Sequence, residues 1–277
     1  MPPLTLARAR ETIRKLGLLA ALSAAAFGGG GCATRGPNHV YYTTSASTAV
    51  HDLGPDAKEI SNGRTAGEAV LGLAYDFNTD HLFLRLAGSI RVIERPSGKV
   101  LRDMPFLPDN SPAGEVVGTN TGPAGVGNGA HTTVSADLAI RSSDRHLFAV
   151  HPDGRSVVEL TLFGGFVRRI ELRGPAEPIG GLAFDQKNNR LLVLTTTHLV
   201  RIGHVSSEGS VTYCVTLAGE VRPVSLGYDS DQGHFFVPLA DGNSLGEFAA
   251  DGRLVATHAT GPITALDAGP RSFLRVF

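Results

Sequence analysis

An all-β fold assembled from repeated small sheets is predicted by three observations on this 277-residue chain. Apolar runs are five to six residues long and rich in β-branched and aromatic side chains, glycines punctuate them at regular intervals, and a unit of about 44 residues recurs. Runs that short are strands, because helices need roughly 10–12 residues of 3.6-residue periodicity. Composition agrees: there are 34 glycines, two methionines and no tryptophan, a balance that favours strands and turns. The 25 basic and 26 acidic residues nearly cancel, so no long-range field gathers nucleic acid or an anionic membrane surface. Two cysteines exclude a disulfide framework and a four-thiolate zinc site.

The chain opens with Arg8, Arg10, Arg14 and Lys15, followed by an uncharged stretch of 12 residues from Leu16 to Phe27, four glycines and Cys32. This three-part pattern is that of a bacterial export signal: the apolar run fits the roughly 7–15 residues of a signal core and falls short of the roughly 20 that span a bilayer. Gly29, Gly30 and Gly31 before Cys32 resemble the lipobox of bacterial lipoproteins, which implies that Cys32 becomes the first mature residue and carries acyl chains. Gly29 stands where that family usually has an aliphatic residue. The alternatives are an ordinary signal peptide or an uncleaved anchor. Ala33 after the cysteine is not the aspartate of inner-membrane retention, so a lipid anchor in the outer membrane is expected. Residues 1–31 are thus a signal peptide, 32–37 a tether and 38–277 the folded domain.

Four segments, 72–86, 137–151, 181–195 and 225–239, are copies of one unit. In each, an apolar run ends at Asp76, Arg141, Asp185 or Asp229, and five residues later His81, His146, Arg190 or His234 opens a second run. A fifth copy starts at Ile263, with Asp267 and Ser272 at the same offset, giving anchor spacings of 65, 44, 44 and 38. The second half repeats too: Gly98, Gly164, Gly209 and Gly252 fall 22 to 24 residues after their anchors. Glycine there supplies the positive φ of a tight hairpin, so each unit reads as four antiparallel strands. A four-stranded sheet cannot bury both faces alone, but copies packed around an axis can, and that is a β-propeller.

The segments PIGGLAFDQKNNRLLVL and AVLGLAYDFNTDHLFLRL resemble the first two blade strands of NHL-type and YncE-like β-propellers. That resemblance covers about 38–277 and implies fold far more than function, since the group includes binding scaffolds and enzymes. The Trp-dependent propeller families are excluded by the lack of tryptophan. Gluconolactonase-like propellers have similar GLAFD-type strands, but their metal-binding carboxylates do not map onto this chain.

Five blades are favoured, six being the alternative. The expected closure takes two strands, VYYTT and TAVHDL, from 39–60 and two from 263–277. His39 lies 42 residues before His81, however, and strict repeat alignment would make VYYTT a second strand. The 65-residue spacing places an insertion at about 108–133, rich in Gly, Asn, Pro and Thr, on the face shared with the loops between second and third strands.

The recurring His39, His81, His146 and His234 read as turn residues of separate blades rather than as one metal site, and the anchor aspartates as caps of nearby backbone N–H groups. Cys214 reads as a buried small hydrophobe in an outer strand. No G-x-S-x-G, H-E-x-x-H or C-x-x-C occurs, and no cofactor is expected. The favoured function is a membrane-anchored, extracytoplasmic scaffold that presents a loop face to a protein, peptide or glycan, without nucleic acid. The alternative is a metal-dependent hydrolase or lactonase using His151, Asp153, His198 and Asp241, the candidate ligand-binding residues of the loop face.

Overall fold

The computed structural model describes residues 38–47, 49–54, 60–61, 68–109, 135–174, 178–196 and 200–269. Strands β1 (His39–Thr44), β2 (Ala49–Asp52) and β3 (Ile60–Ser61) form the outer part of blade 1. Blade 2 is β4 (Gly72–Asp76), β5 (His81–Arg85), β6 (Ser89–Glu94) and β7 (Val100–Pro105). Blade 3 is β8 (Leu138–Arg141), β9 (His146–Val150), β10 (Ser156–Thr161) and β11 (Phe166–Glu171). Blade 4 is β12 (Ile179–Asp185), β13 (Arg190–Thr196), β14 (Val200–Val205) and β15 (Val211–Thr216). Blade 5 is β16 (Gly227–Asp229), β17 (His234–Pro238), β18 (Ser244–Phe248) and β19 (Leu254–Ala259), after which β20 (Ile263–Gly269) returns as the innermost strand of blade 1. All pairings between these strands are antiparallel.

The ring is closed. Innermost strands touch in the cycle β20, β4, β8, β12, β16 and back to β20, so no inner strand edge is left bare. Each interface between blades holds its own apolar core. Ala74, Phe83 and Ile90 of blade 2 pack with Leu138, Ile140 and Leu147 of blade 3, for example, and Phe236 and Leu245 of blade 5 with Val40, Tyr42 and Leu266 of blade 1. Inner strands approach so closely that glycine is required: a Cβ on Gly72 would lie 2.6 Å from Ala136 O, and one on Gly181 2.7 Å from Leu226 N.

Closure differs from expectation. Three strands come from the N-terminal segment and one from the C-terminal segment, with VYYTT as a second strand. The reason lies in β20, which runs two residues past Asp267, so that Gly269 rather than Asp267 pairs opposite His39. In blade 2 the equivalent pair is Asp76 and His81. The fifth repeat copy is therefore shifted by two residues from the alignment at Asp267, and Ser272 lies outside the described residues. So does nearly all of the insertion, from residue 110.

The turns follow the repeat. Gly98, Gly164, Gly209 and Gly252 all have positive φ, between 68° and 86°. A second left-handed position, four residues after each anchor, is filled by Asp80, Arg145, Asn189 and Gly233. The anchors cap their hairpins as expected: Asp76 Oδ1 accepts from Asn78 N–H, Asp185 Oδ1 from Lys187 and Asn188 N–H, and Asp229 Oδ1 from Asp231 and Gln232 N–H.

Candidate functional site: the axis and its two ends

The recurring histidines are held in separate blades, and three of them, His39, His146 and His234, take carboxylates from the neighbouring third strand. His39 Nδ1 lies 2.5 Å from Asp52, His146 Nδ1 2.7 Å from Glu159 and His234 Nδ1 2.6 Å from Glu247. In each pair the carboxylate follows its histidine by 13 residues in sequence. Glu159 also accepts from Arg141 and Arg168, each at 2.6 Å. Burial alone would raise its carboxyl, but His146 and the two guanidiniums outweigh burial and hold it below the usual glutamate range. Glu247 likewise stays low, against the effect of burial, because His234 and His258 face it.

The residues chosen for the loop face divide. His151 follows β9 directly and Asp153 stands in the same hairpin, and they meet: His151 Nδ1 lies 3.1 Å from Asp153 Oδ1. His151 Nε2 lies 3.0 Å from Asp109, at the start of the insertion. Arg169 on β11 reaches both carboxylates, donating to Asp153 Oδ2 at 2.6 Å and to Asp109 Oδ1 at 3.2 Å. Burial would raise Asp153, yet hydrogen bonds from the Ser156 hydroxyl and Arg155 N–H, with His151 alongside, keep it far below the usual carboxylate range. Asp241 belongs to blade 5, two blades away, and accepts from Asn243 and Ser244 N–H in its own hairpin. Arg169 already fills the space between Asp109 and Asp153 that a cation would take. His198 and Cys32 lie outside the described residues. Among the described residues no group of three or more His, Cys, Asp or Glu side chains is arranged to hold a metal ion. Cys214 is exposed on β15 rather than buried, because that outer strand alternates its side chains and position 214 faces solvent; its thiol hydrogen points to Ile202 O at 3.3 Å.

Sequence reasoning missed the axis. Asp137, Asp267, Ser225 and Arg85 are buried there, on or beside the inner strands. Asp137 Oδ2 accepts from Leu182 N–H of blade 4 and from N–H of Leu226, which leads into blade 5, both at 3.0 Å, while Oδ1 lies 2.9 Å from Ser225 Oγ. Ser225 Oγ in turn accepts from Leu266 N–H and lies 3.1 Å from Leu266 O in blade 1. Asp267 Oδ2 accepts from Tyr75 N–H of blade 2, and Arg85 of blade 2 donates to Ala136 O and Val150 O of blade 3. Gln186 N–H donates to Ser230 Oγ and links blade 4 to blade 5. Each blade is thereby tied to its neighbours by polar side chains as well as by apolar packing. Burial pushes the Asp137 carboxyl up to about 7 despite its hydrogen bonds. Asp267 is also raised well above the ordinary range, by burial and further by the charge of Asp137. Burial lowers Arg85 to about 10, with Asp137 opposing that shift.

A depression opens at the end of the ring where the first strands finish. Equivalent positions of all five blades line it (Tyr75, Ile140, Phe184, Tyr228 and Ala268), together with Asp267. It lies at the opposite end from His151, Asp153 and Asp241, whose hairpins join second and third strands. Its free space is about 10 Å³, on the order of a single water molecule.

No protein-family model matches this chain, and no curated protein does. Among solved structures, a chain from a nidogen/laminin complex is similar over 83% of this chain and 98% of its own length, with a TM-score of 0.54 at 10% identity. A protein of unknown function from Bacteroides caccae aligns over 84% of this chain and 98% of its own, with a TM-score of 0.46 at 13% identity. At such identities the likeness to the former concerns the fold. This chain is a five-bladed β-propeller.

Proposed function

We propose that this propeller is a bacterial envelope lipoprotein of NHL-type, YncE-like character, held in the outer membrane by an acylated Cys32 and serving as a scaffold for a protein, peptide or glycan. The β-propeller fold, a rigid frame that presents loops at both ends, supports a binding role in general. One observation carries the scaffold reading over an enzyme: the polar groups of the axis are joined to one another and to backbone atoms of other blades, and the free space at its mouth is only about 10 Å³. Catalytic pockets of small-molecule enzymes instead offer several hundred Å³ and convergent free groups. Recognition then falls to the exposed loops, and the similar chain from the nidogen/laminin complex is itself part of a protein assembly. The hydrolase reading is the weaker one, because Asp153 is occupied by Arg169 and Ser156 and Asp241 by its own hairpin.

Support for the anchor is the basic start, the 12-residue apolar run and the glycines before Cys32. Acyl chains contribute about 0.8 kcal/mol per buried CH₂, so several on one residue hold a folded domain at a membrane without a spanning helix. Among the described residues no helix is long and apolar enough to cross one. Replacing Cys32→Ala is expected to move the protein from the membrane fraction to the soluble fraction on cell fractionation. Unchanged membrane association would refute the anchor.

A further inference from the structure

We propose that Asp137 and Asp267 act as a proton-operated latch across the axis, in which protonation of Asp137 reverses the Ser225 hydrogen bond and tightens the ring. The inference stands apart from the anchor and from any partner. Its geometric basis is the division of labour on Asp137: Oδ2 accepts from two backbone N–H donors of other blades, Leu182 and Leu226, and Oδ1 faces Ser225 Oγ, with the adjacent Leu138 N–H also donating to the carboxyl. A proton on this carboxyl therefore sits on Oδ1.

Ser225 has a single hydroxyl hydrogen and two acceptors within reach, Asp137 Oδ1 at 2.9 Å and Leu266 O at 3.1 Å. When Asp137 is ionised, that hydrogen goes to Oδ1, and Leu266 O loses it. When Asp137 is protonated, Oδ1–H donates to Ser225 Oγ, and the serine hydrogen is free to reach Leu266 O. Leu266 N–H donates to Ser225 Oγ in both states. The protonated state therefore has one more hydrogen bond between Ser225 and β20, across the boundary between blades 5 and 1.

The charge balance at the axis acts in the same direction. Among the described residues, Arg85 from β5 and Asp267 from β20 are the charged groups in electrostatic contact with Asp137. Strand β12 contributes the Leu182 N–H, and the segment leading into β16 the Leu226 N–H and the Ser225 hydroxyl. The Arg85 guanidinium is itself bonded to the Ala136 and Val150 carbonyls and forms no ion pair with either carboxyl. Ionising both carboxyls places two negative charges in a medium that solvates them poorly. The two carboxyls therefore titrate as a coupled pair, and Asp267 carries the coupling to the mouth, which it lines with Ala268 and Gly269.

The sign follows from linkage. A carboxyl whose folded pKa is raised contributes stability that is complete below the unfolded value and is lost as pH rises through the folded value. With Asp137 pushed to about 7, the unfolding equilibrium constant should rise on the order of 30-fold between pH 5.5 and 8.5 from this group alone. Asp137→Asn imitates the protonated state, since its amide oxygen accepts from Leu182 and Leu226 and its NH₂ donates to Ser225.

The test is urea unfolding of the full chain at pH 5.5, 7 and 8.5, wild type against Asp137→Asn. The latch predicts a wild-type loss of stability with rising pH that the variant largely lacks. Equal pH dependence in both overturns it. Infrared spectra of the wild type at pH 6 provide a reading that needs no folded variant: a protonated buried carboxyl stretch that fades toward pH 8.5 is expected, and its absence at pH 6 overturns the proposal.

Discussion

Two sets of carboxylates behave in opposite ways. Glu159 and Glu247, on the third strands of their blades, are faced by Arg or His side chains and held below the ordinary glutamate range. Asp137 and Asp267, at the axis, accept mainly backbone N–H bonds from other blades and are pushed toward the protonated form. The first set ties strands within one blade, where a partner can be supplied at a fixed sequence offset. The second ties blades to one another, and its donors come from 45 and 89 residues away for Asp137 and 192 for Asp267. The lesson is that periodic polar residues build the repeat unit, whereas the residues that close the ring depart from the repeat.

Substitutions at the axis should break this comparison most visibly. Asp137→Ala strands the Leu182 and Leu226 N–H groups in the core, and a loss of about 3 kcal/mol or more is expected in urea unfolding. Asp76→Ala, at a hairpin anchor, should lose only about 1 kcal/mol, the worth of a local cap. Equal losses would abolish the distinction between ring-closing and turn-forming aspartates.

A smaller effect is expected at Glu159. Glu159→Gln weakens its bonds to His146, Arg141 and Arg168, and about 1–2 kcal/mol should be lost near neutral pH. Because the folded Glu159 carboxyl lies below its ordinary value, the stability it supplies is present above the unfolded value and is lost as pH falls through the folded one. The gap between wild type and variant in urea unfolding should therefore narrow toward acid. A gap that widened toward acid would place Glu159 with the axial pair.

The smallest expected change has the opposite sign. Arg145 is exposed and has a φ of 63°, at the hairpin position where blade 5 has Gly233. Arg145→Gly should raise stability by about 0.5–1 kcal/mol, relief of left-handed strain being partly offset by the greater freedom of glycine in the unfolded chain. A melting temperature that fell would show that the side chain is held by more than the turn.

The blades, their number and their turns were legible in the sequence because each is written in residues close together. The anchor aspartates, the glycines of positive φ and the histidines at offset five all report local geometry. Three histidine partners were legible too, though overlooked: Asp52, Glu159 and Glu247 stand 13 residues after His39, His146 and His234 in turn. Closure was half legible. The distance from His39 to His81 pointed to VYYTT as a second strand, while Asp267 imitated an anchor so well that β20 was set two residues out of register. An aspartate in an apolar run looks the same whether it caps a turn or enters the axis.

Sequence alone therefore determined the all-β class, the repeated four-stranded sheet and the hairpin chemistry, since strand period, turn residues and apolar alternation act over a few residues. Tertiary structure decided which strand closes the ring, that Asp137 and Asp267 meet backbone donors of other blades, that Arg169 fills the space between Asp109 and Asp153, and that Cys214 faces solvent. Those outcomes depend on which surfaces the five sheets bring together around one axis, and the charge state of a buried carboxyl is set by what surrounds it there.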